Sequence, residues 1–79
     1  MEEILSKIWM EVLNLEKKPS ETESFFDLGG NSFFAAQVCQ DFEEETGKTI
    51  EIYDFYEHET ISELITLLEE RGEKANEES

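Results

Sequence analysis

The most informative segment of the sequence reads Phe25-Phe26-Asp27-Leu28-Gly29-Gly30-Asn31-Ser32-Phe33. Two consecutive glycines end a polar loop, and an Asn-Ser pair begins a helical pattern. Glycine tolerates positive φ and leaves the backbone bare, so another molecule can approach closely, and Asn31 or Ser32 can cap the helix. An anion on the Ser32 oxygen would lie beside free amides at the positive end of the helix dipole. The segment therefore predicts a serine placed to carry a phosphodiester rather than to attack a substrate.

A helix and a long loop precede this segment. Apolar residues recur at i, i+1, i+4 and i+5 and form one stripe on a helix over about residues 2–15. Pro19 cannot continue that helix, and residues 16–30 contain Pro, Ser, Thr and Gly. Because Phe25 and Phe26 lie inside so long a loop, we expect the loop to pack over the core.

Two further helical elements follow the segment. The second helix is predicted to begin at Asn31 or Ser32, and Gly47 is its natural end. Residues 53–57 have room for a single helical turn. The alternating stretch just before them is too short to build a sheet.

The last helix has a recognisable start. Thr60 and Glu63 form a capping-box pattern, and the apolar stripe then continues to Leu68. We expect residues 1–70 to form the domain and residues 71–79 to form a polar, disordered tail. The sequence thus predicts an all-α fold, a small bundle of three main helices plus one short helix.

The composition narrows the class of protein. Its 79 residues are enough for one domain, and 21 acidic residues against 6 basic ones give a formal charge of −15. Nucleic acids and anionic membranes would repel such a chain, and a partner selected by charge should be basic. One cysteine, Cys39, gives no internal disulfide and no argument for secretion. We expect an acidic, monomeric, cytoplasmic domain that binds neither nucleic acid nor membrane.

The segment also resembles a known family. Leu28-Gly29-Gly30-Asn31-Ser32, preceded by Phe25-Phe26-Asp27, is similar to the attachment motif of peptidyl carrier domains of non-ribosomal peptide synthesis. These domains belong to the phosphopantetheine-binding acyl carrier superfamily. The resemblance covers most of the chain and extends to the first helix (Ile8-Trp9, Val12-Leu13) and to the junction before the last one (Phe55-Tyr56-Glu57-His58, Thr60-Ile61, Leu64).

The resemblance implies a function and a cofactor. Ser32 would be esterified by a 4′-phosphopantetheine arm from coenzyme A, with Gly29, Gly30 and Asn31 around it. The arm's thiol would hold an aminoacyl or acyl group as a thioester. The expected protein is a free-standing, non-catalytic carrier of secondary-metabolite assembly. Its expected partners are a phosphopantetheinyl transferase, an adenylation or other loading enzyme, and a condensation-type or tailoring enzyme.

Several residues near the serine are candidates for partner contact. An exposed aromatic side chain beside the arm would anchor a partner. Phe33 fits that description, but packing under the loop is equally compatible with its position. The candidate set is Asp27, Leu28, Phe33, Tyr53, Phe55 and Tyr56.

Other interpretations of the same residues predict different chemistry. Hydrolysis by a serine nucleophile needs a base, and the lone histidine, His58, lies in an acidic stretch of a domain too small to enclose a substrate. Cys39 lies on an apolar stripe and fits a buried small hydrophobe better than a reactive thiol. The residues around Asp27 lack the spacing of a calcium loop, so no metal site is expected. The main alternative is an unmodified acidic helical adaptor that binds a basic partner protein.

Overall fold

The computed structural model describes the backbone of residues 2–78 and the side chains of residues 2–71. Four helices follow one another along the chain: α1 (Glu2–Leu13), α2 (Ser32–Thr46), α3 (Ile52–Glu57) and α4 (Ile61–Glu78). The predicted all-α bundle of three main helices and one short helix is confirmed. Along the described part of the chain, no helix is both long and apolar enough to cross a bilayer.

The ends of α1 and α2 follow from local backbone chemistry. Asn14 adopts a left-handed conformation (φ 55°), and the Leu15 N–H donates to the Met10 carbonyl at 2.9 Å. This Schellman arrangement ends α1 two residues before the predicted end. Gly47, also left-handed (φ 75°), donates its N–H to the Glu43 carbonyl and ends α2. The predicted role of Gly47 is confirmed.

An aromatic cluster forms the centre of the core. Phe25 lies between the other two members, with ring centroids 4.9 Å from Trp9 and 4.8 Å from Phe55. All three side chains are fully buried, and burying each contributes about 1.5–3 kcal/mol. The expectation that the long loop packs over the core is therefore confirmed. The remaining buried apolar residues are Leu5, Ile8, Ala35, Val38, Phe42, Ile50, Ile61, Leu64 and Leu68.

The long loop is bonded to the junction between α3 and α4. The Phe25 N–H donates to the Glu59 carbonyl at 2.7 Å, and the Ser62 N–H donates to the Glu21 carbonyl at 3.1 Å. The Ser24 hydroxyl adds a bond to the Glu59 carboxylate at 2.7 Å. These bonds fix the path of the chain as it enters the Gly29-Gly30 turn.

The last helix extends beyond its predicted end. α4 continues to Glu78, whereas the sequence predicts a disordered tail from Arg71 onward. Residues 71–78 contain three Glu, one Lys, one Ala and one Arg, which favour helix, and also Gly72 and Asn76, which do not. Arg71 also has a structural role, because its Nη2 lies 3.1 and 3.0 Å from the two carboxylate oxygens of Asp54. Arg71, the first residue beyond the predicted domain boundary, therefore contacts the buried Asp54.

Candidate functional site

Ser32 is the first residue of α2, and its side chain is exposed. Asn31 is the N-cap, since its side-chain oxygen accepts the Phe34 N–H at 3.0 Å and its carbonyl accepts the Ala35 N–H at 2.8 Å. Within the described part of the chain, the N–H groups of Ser32 and Phe33 have no hydrogen-bond partner. The serine oxygen thus lies at the positive end of α2, beside two amides available to an anion.

The two glycines before the cap have different structural roles. Gly29 has φ +101°, and a Cβ added there would meet nothing within 4 Å. Gly30 is constrained by its neighbour instead: a Cβ there would lie 2.4 Å from two ring carbons of Phe25 and 2.7 Å from its carbonyl oxygen. The Gly30 N–H donates to that same carbonyl at 3.0 Å. The turn therefore requires glycine for conformation at one position and for space at the next.

A tyrosine from α3 contacts the serine directly. The hydroxyls of Tyr56 and Ser32 form a hydrogen bond. The Tyr56 ring is stacked on Phe26, with centroids 5.0 Å apart and an angle of 22° between the planes. From the sequence, Tyr56 is predicted only as a partner contact. The bond joins residues 24 positions apart, and no periodic pattern of one helix could have predicted it.

The candidate partner residues separate into exposed and buried ones. Phe33 is 74% exposed, Tyr53 60% and Tyr56 53%, so Phe33 is a surface residue rather than a core residue. Phe55 is fully buried against Phe25 and Trp9, and its selection as a partner contact was wrong. Asp27 is exposed and Leu28 is half-buried.

One exposed apolar residue was missed. Ile52 begins α3 and is 40% exposed, one turn before Tyr56. Phe33, Tyr53 and Tyr56 are the other large apolar residues that are exposed in the described part of the chain, and we call the four the exposed apolar residues. The signal of Ile52 in the sequence was weak, because an isoleucine in an alternating stretch is more often buried.

Cys39 and His58, the two other side chains considered for nucleophilic chemistry, take no part in the contact between Ser32 and Tyr56. Cys39 is half-buried, and burial, with the charges of Glu51 and Asp54, raises the pKa of its thiol to about 11. It is therefore protonated and poorly nucleophilic at neutral pH. Among the described residues, the hydrogen-bond partner of the Ser32 hydroxyl is Tyr56 and not His58. The geometry does not form a serine–histidine pair for nucleophilic attack.

Comparison with known proteins agrees with this geometry. Residues 3–68 match the family described as "Phosphopantetheine attachment site". The match covers most of the chain and includes the glycine turn, Ser32 and all of α3. The chain therefore belongs to the phosphopantetheine attachment family, whose members bind 4′-phosphopantetheine covalently.

Its relatives are far larger proteins. The chain is 45% identical over 64 residues to a plipastatin synthase protein of Bacillus subtilis (strain 168), in an alignment that covers 81% of this chain and 2% of that protein. It is 35% identical over 68 residues to the nonribosomal peptide synthetase acrB of Aspergillus aculeatus, 86% of this chain and 4% of that protein. With the dimodular nonribosomal peptide synthase of B. subtilis the identity is 38% over 68 residues, in an alignment that covers 86% of this chain and 3% of that protein. The chain thus corresponds to a small segment of each of these proteins.

Proposed function

We propose that this chain is a non-catalytic carrier protein whose Ser32 holds 4′-phosphopantetheine through a phosphodiester. The observation that carries the proposal is the position of Ser32, an exposed first residue of α2 inside the region that matches the family. Its hydroxyl is accessible, and the turn before it carries no side chain at Gly29 to obstruct an approaching enzyme.

The surrounding residues fit a phosphodiester. The free N–H groups of Ser32 and Phe33 lie at the positive end of α2, where a negative charge is stabilised by about 0.3–1 kcal/mol. The Tyr56 hydroxyl supplies a further donor beside the Ser32 oxygen. When bound, the arm supplies a terminal thiol that holds the cargo as a thioester. The chain's own contribution is to fix the point of attachment, and tethering then raises the concentration of the cargo at each partner's active site.

We propose that the cargo is an aminoacyl or related acyl group. The names of the relatives, synthases and synthetases of peptides, support an amino acid over a fatty acid. An aryl or other non-amino acid would use the same arm. Mass spectrometry of the loaded protein from its native host identifies the cargo.

We also propose that the carrier is free-standing and cytoplasmic and delivers its cargo to separate enzymes. The formal charge of −15 suits transient encounters with basic partner surfaces. The exposed apolar residues, of which Tyr56 contacts Ser32, offer apolar contacts to a partner. The expected partners are a phosphopantetheinyl transferase, an adenylation or other loading enzyme, and a condensation-type or tailoring enzyme. Loading and transfer assays with each enzyme added as a separate polypeptide test this delivery.

The attachment itself is tested by intact mass. The protein is incubated with coenzyme A and a broad-specificity phosphopantetheinyl transferase, and we expect a gain of one phosphopantetheine. Ser32→Ala should abolish the gain. Ser62→Ala, which removes another exposed serine near a helix start, should leave it unchanged. If the wild type gains nothing, or if Ser32→Ala is still modified, the proposal is wrong and the unmodified acidic adaptor becomes the better interpretation.

A further inference from the structure

Tyr56 is held against Ser32 from two directions. On one side its ring stacks on Phe26 from the long loop. On the other, the neighbouring Phe55 is fully buried in the aromatic cluster and anchors α3 to the core. The Tyr56 hydroxyl is thereby fixed beside the Ser32 oxygen, although the tyrosine is more than half exposed. A side chain held in this way is preorganised for the group it contacts.

Relative acidity favours one direction for this hydrogen bond. A phenol O–H is a better hydrogen-bond donor than an aliphatic hydroxyl. Donation by the Tyr56 O–H to the Ser32 oxygen is therefore the favoured arrangement in the unmodified chain. The contact favours the Ser32 rotamer in which Oγ faces the Tyr56 hydroxyl.

We propose that Tyr56 is a positioning residue for the phosphopantetheine arm, holding the Ser32 oxygen before attachment and donating its O–H to the phosphodiester afterwards. The inference rests on the proposed attachment at Ser32. It adds a specific hydrogen bond at the base of the arm to the stabilisation that the N-terminus of α2 gives to a negative charge. Tyr56 neither takes nor gives up a proton in the transfer.

The chemistry of attachment explains why Tyr56 should remain a hydrogen-bond donor after the arm is attached to Ser32. In the transfer, a bond forms between Ser32 Oγ and the phosphorus that bears the pantetheine of coenzyme A. The bond from that phosphorus to the bridging pyrophosphate oxygen breaks, and adenosine 3′,5′-bisphosphate leaves. The serine proton passes to a base of the transferase. Tyr56 is then the O–H donor at this contact, and an anionic phosphate oxygen is a stronger acceptor than the ester oxygen it adjoins.

Nuclear magnetic resonance of the modified protein tests the proposal. Three-bond couplings between phosphorus and the two Ser32 β protons report the torsion about the Cβ–Oγ bond at the base of the arm. In the wild type we expect couplings that correspond to one staggered conformer of this bond. In Tyr56→Phe, which keeps the ring on Phe26 but lacks the hydroxyl, the couplings should move toward rotationally averaged values and the phosphorus resonance should shift.

Tyr53→Phe is the matched control. It removes the hydroxyl of a similarly exposed tyrosine on the same helix and should leave both the couplings and the phosphorus resonance as in the wild type. If Tyr56→Phe matches the wild type in both readouts, the proposal is overturned. A wild-type protein that shows no cross-peaks between the Tyr56 ring and the Ser32 β protons also overturns it, and this measurement needs no variant.

Failure of the underlying attachment would look different. In that case neither the wild type nor either variant gains the mass of phosphopantetheine. If all three proteins gain the mass of phosphopantetheine but their couplings do not differ, the attachment at Ser32 is supported and the proposed role of Tyr56 is wrong.

Discussion

Gly30 and Phe25 illustrate how closely the turn before Ser32 is packed at the level of single residues. Phe25 belongs to a loop by its backbone and to the core by its side chain, which contacts both Trp9 and Phe55. The chain returns over that side chain at Gly30, and the space left there is too small for a methyl group. The position of Ser32, two residues later, thus depends on a packing contact as well as on a helix cap.

We predict that Gly30→Ala destabilises the fold by about 1–3 kcal/mol, the usual cost of overpacking. The added Cβ would lie 2.4 Å from ring carbons of Phe25, which is fully buried and cannot move aside cheaply. Urea denaturation of the variant measures the loss.

A double-mutant cycle identifies the cause. If the clash with the ring is responsible, the cost of Gly30→Ala should fall when it is measured in a Phe25→Leu background. A part of the cost should remain, because the added Cβ also lies 2.7 Å from the Phe25 carbonyl oxygen. An equal cost in both backgrounds would contradict the explanation.

At this scale, local signals predicted much of the site and missed its long-range contacts. A cap and helix start at Asn31 or Ser32 could be predicted because they depend on neighbours within three residues, and the structure selects Asn31 as the cap and Ser32 as the first helical residue. The bond from Ser32 to Tyr56 could not, because it depends on how α3 is placed against α2. Sequence spacing carries no information on that placement.

At the scale of elements, α3 is too short to be stable by itself. It has six residues, and isolated helices shorter than about 12–15 residues are marginal in water. Three interactions stabilise α3. Phe55 is buried in the core, and the Glu51 N–H donates to Asp54 Oδ2 at 2.9 Å. Arg71 Nη2 donates to both carboxylate oxygens of Asp54. Arg71 also donates to the Thr49 carbonyl at 3.2 Å. α4 thereby fixes the element that carries Tyr56.

Arg71→Met should therefore destabilise the fold by about 1–3 kcal/mol, because it leaves the buried Asp54 carboxylate without its charged donor. Since Arg71 is itself partly exposed, we expect a value in the lower half of that range. Thermal and urea denaturation measure the loss.

Lys48→Met is the control for this prediction. It removes the same charge from an exposed lysine and should change the free energy of unfolding by less than about 0.5 kcal/mol. Equal losses in the two variants would show that net charge, and not the contact with Asp54, is responsible.

Element boundaries were predictable where a cap marks them. Gly47 ends α2 as predicted, whereas α4 continues past its predicted end to Glu78. The error at Phe55 has a similar origin. A six-residue helix completes fewer than two turns, so periodicity could not tell which of its aromatic residues faces the core.

For the whole molecule, charge is the dominant property. Against a formal charge of −15, the part of the chain with described side chains has two ion pairs, Arg71 with Asp54 at 3.0 Å and Lys18 with Glu2 at 3.7 Å. Most acidic side chains thus face solvent and one another. Self-repulsion of this kind destabilises the compact state.

We predict that salt stabilises the fold. Raising NaCl from about 0.01 M to about 0.1 M shortens the Debye length from roughly 30 Å to roughly 10 Å. The melting temperature should rise by several degrees, since about 1 kcal/mol corresponds to about 4–8 °C in a domain of this size. Calorimetry at both salt concentrations measures it.

A variant with reduced charge provides the comparison. Replacing the exposed Glu43, Glu44 and Glu45 by Gln lowers the negative charge on the surface of α2, and its melting temperature should respond less to salt. A wild-type melting temperature that stays constant or falls with added salt would contradict the role given to self-repulsion.

The bonds between the long loop and the α3–α4 junction also bear on biosynthesis of the protein. The Phe25 N–H requires the Glu59 carbonyl, and the Glu21 carbonyl requires the Ser62 N–H. A nascent chain on the ribosome therefore contains Ser32 well before it contains the residues that fix the approach to it. The glycine turn acquires its full support only when translation has passed residue 62, so folding sets the earliest moment at which the proposed attachment site is complete.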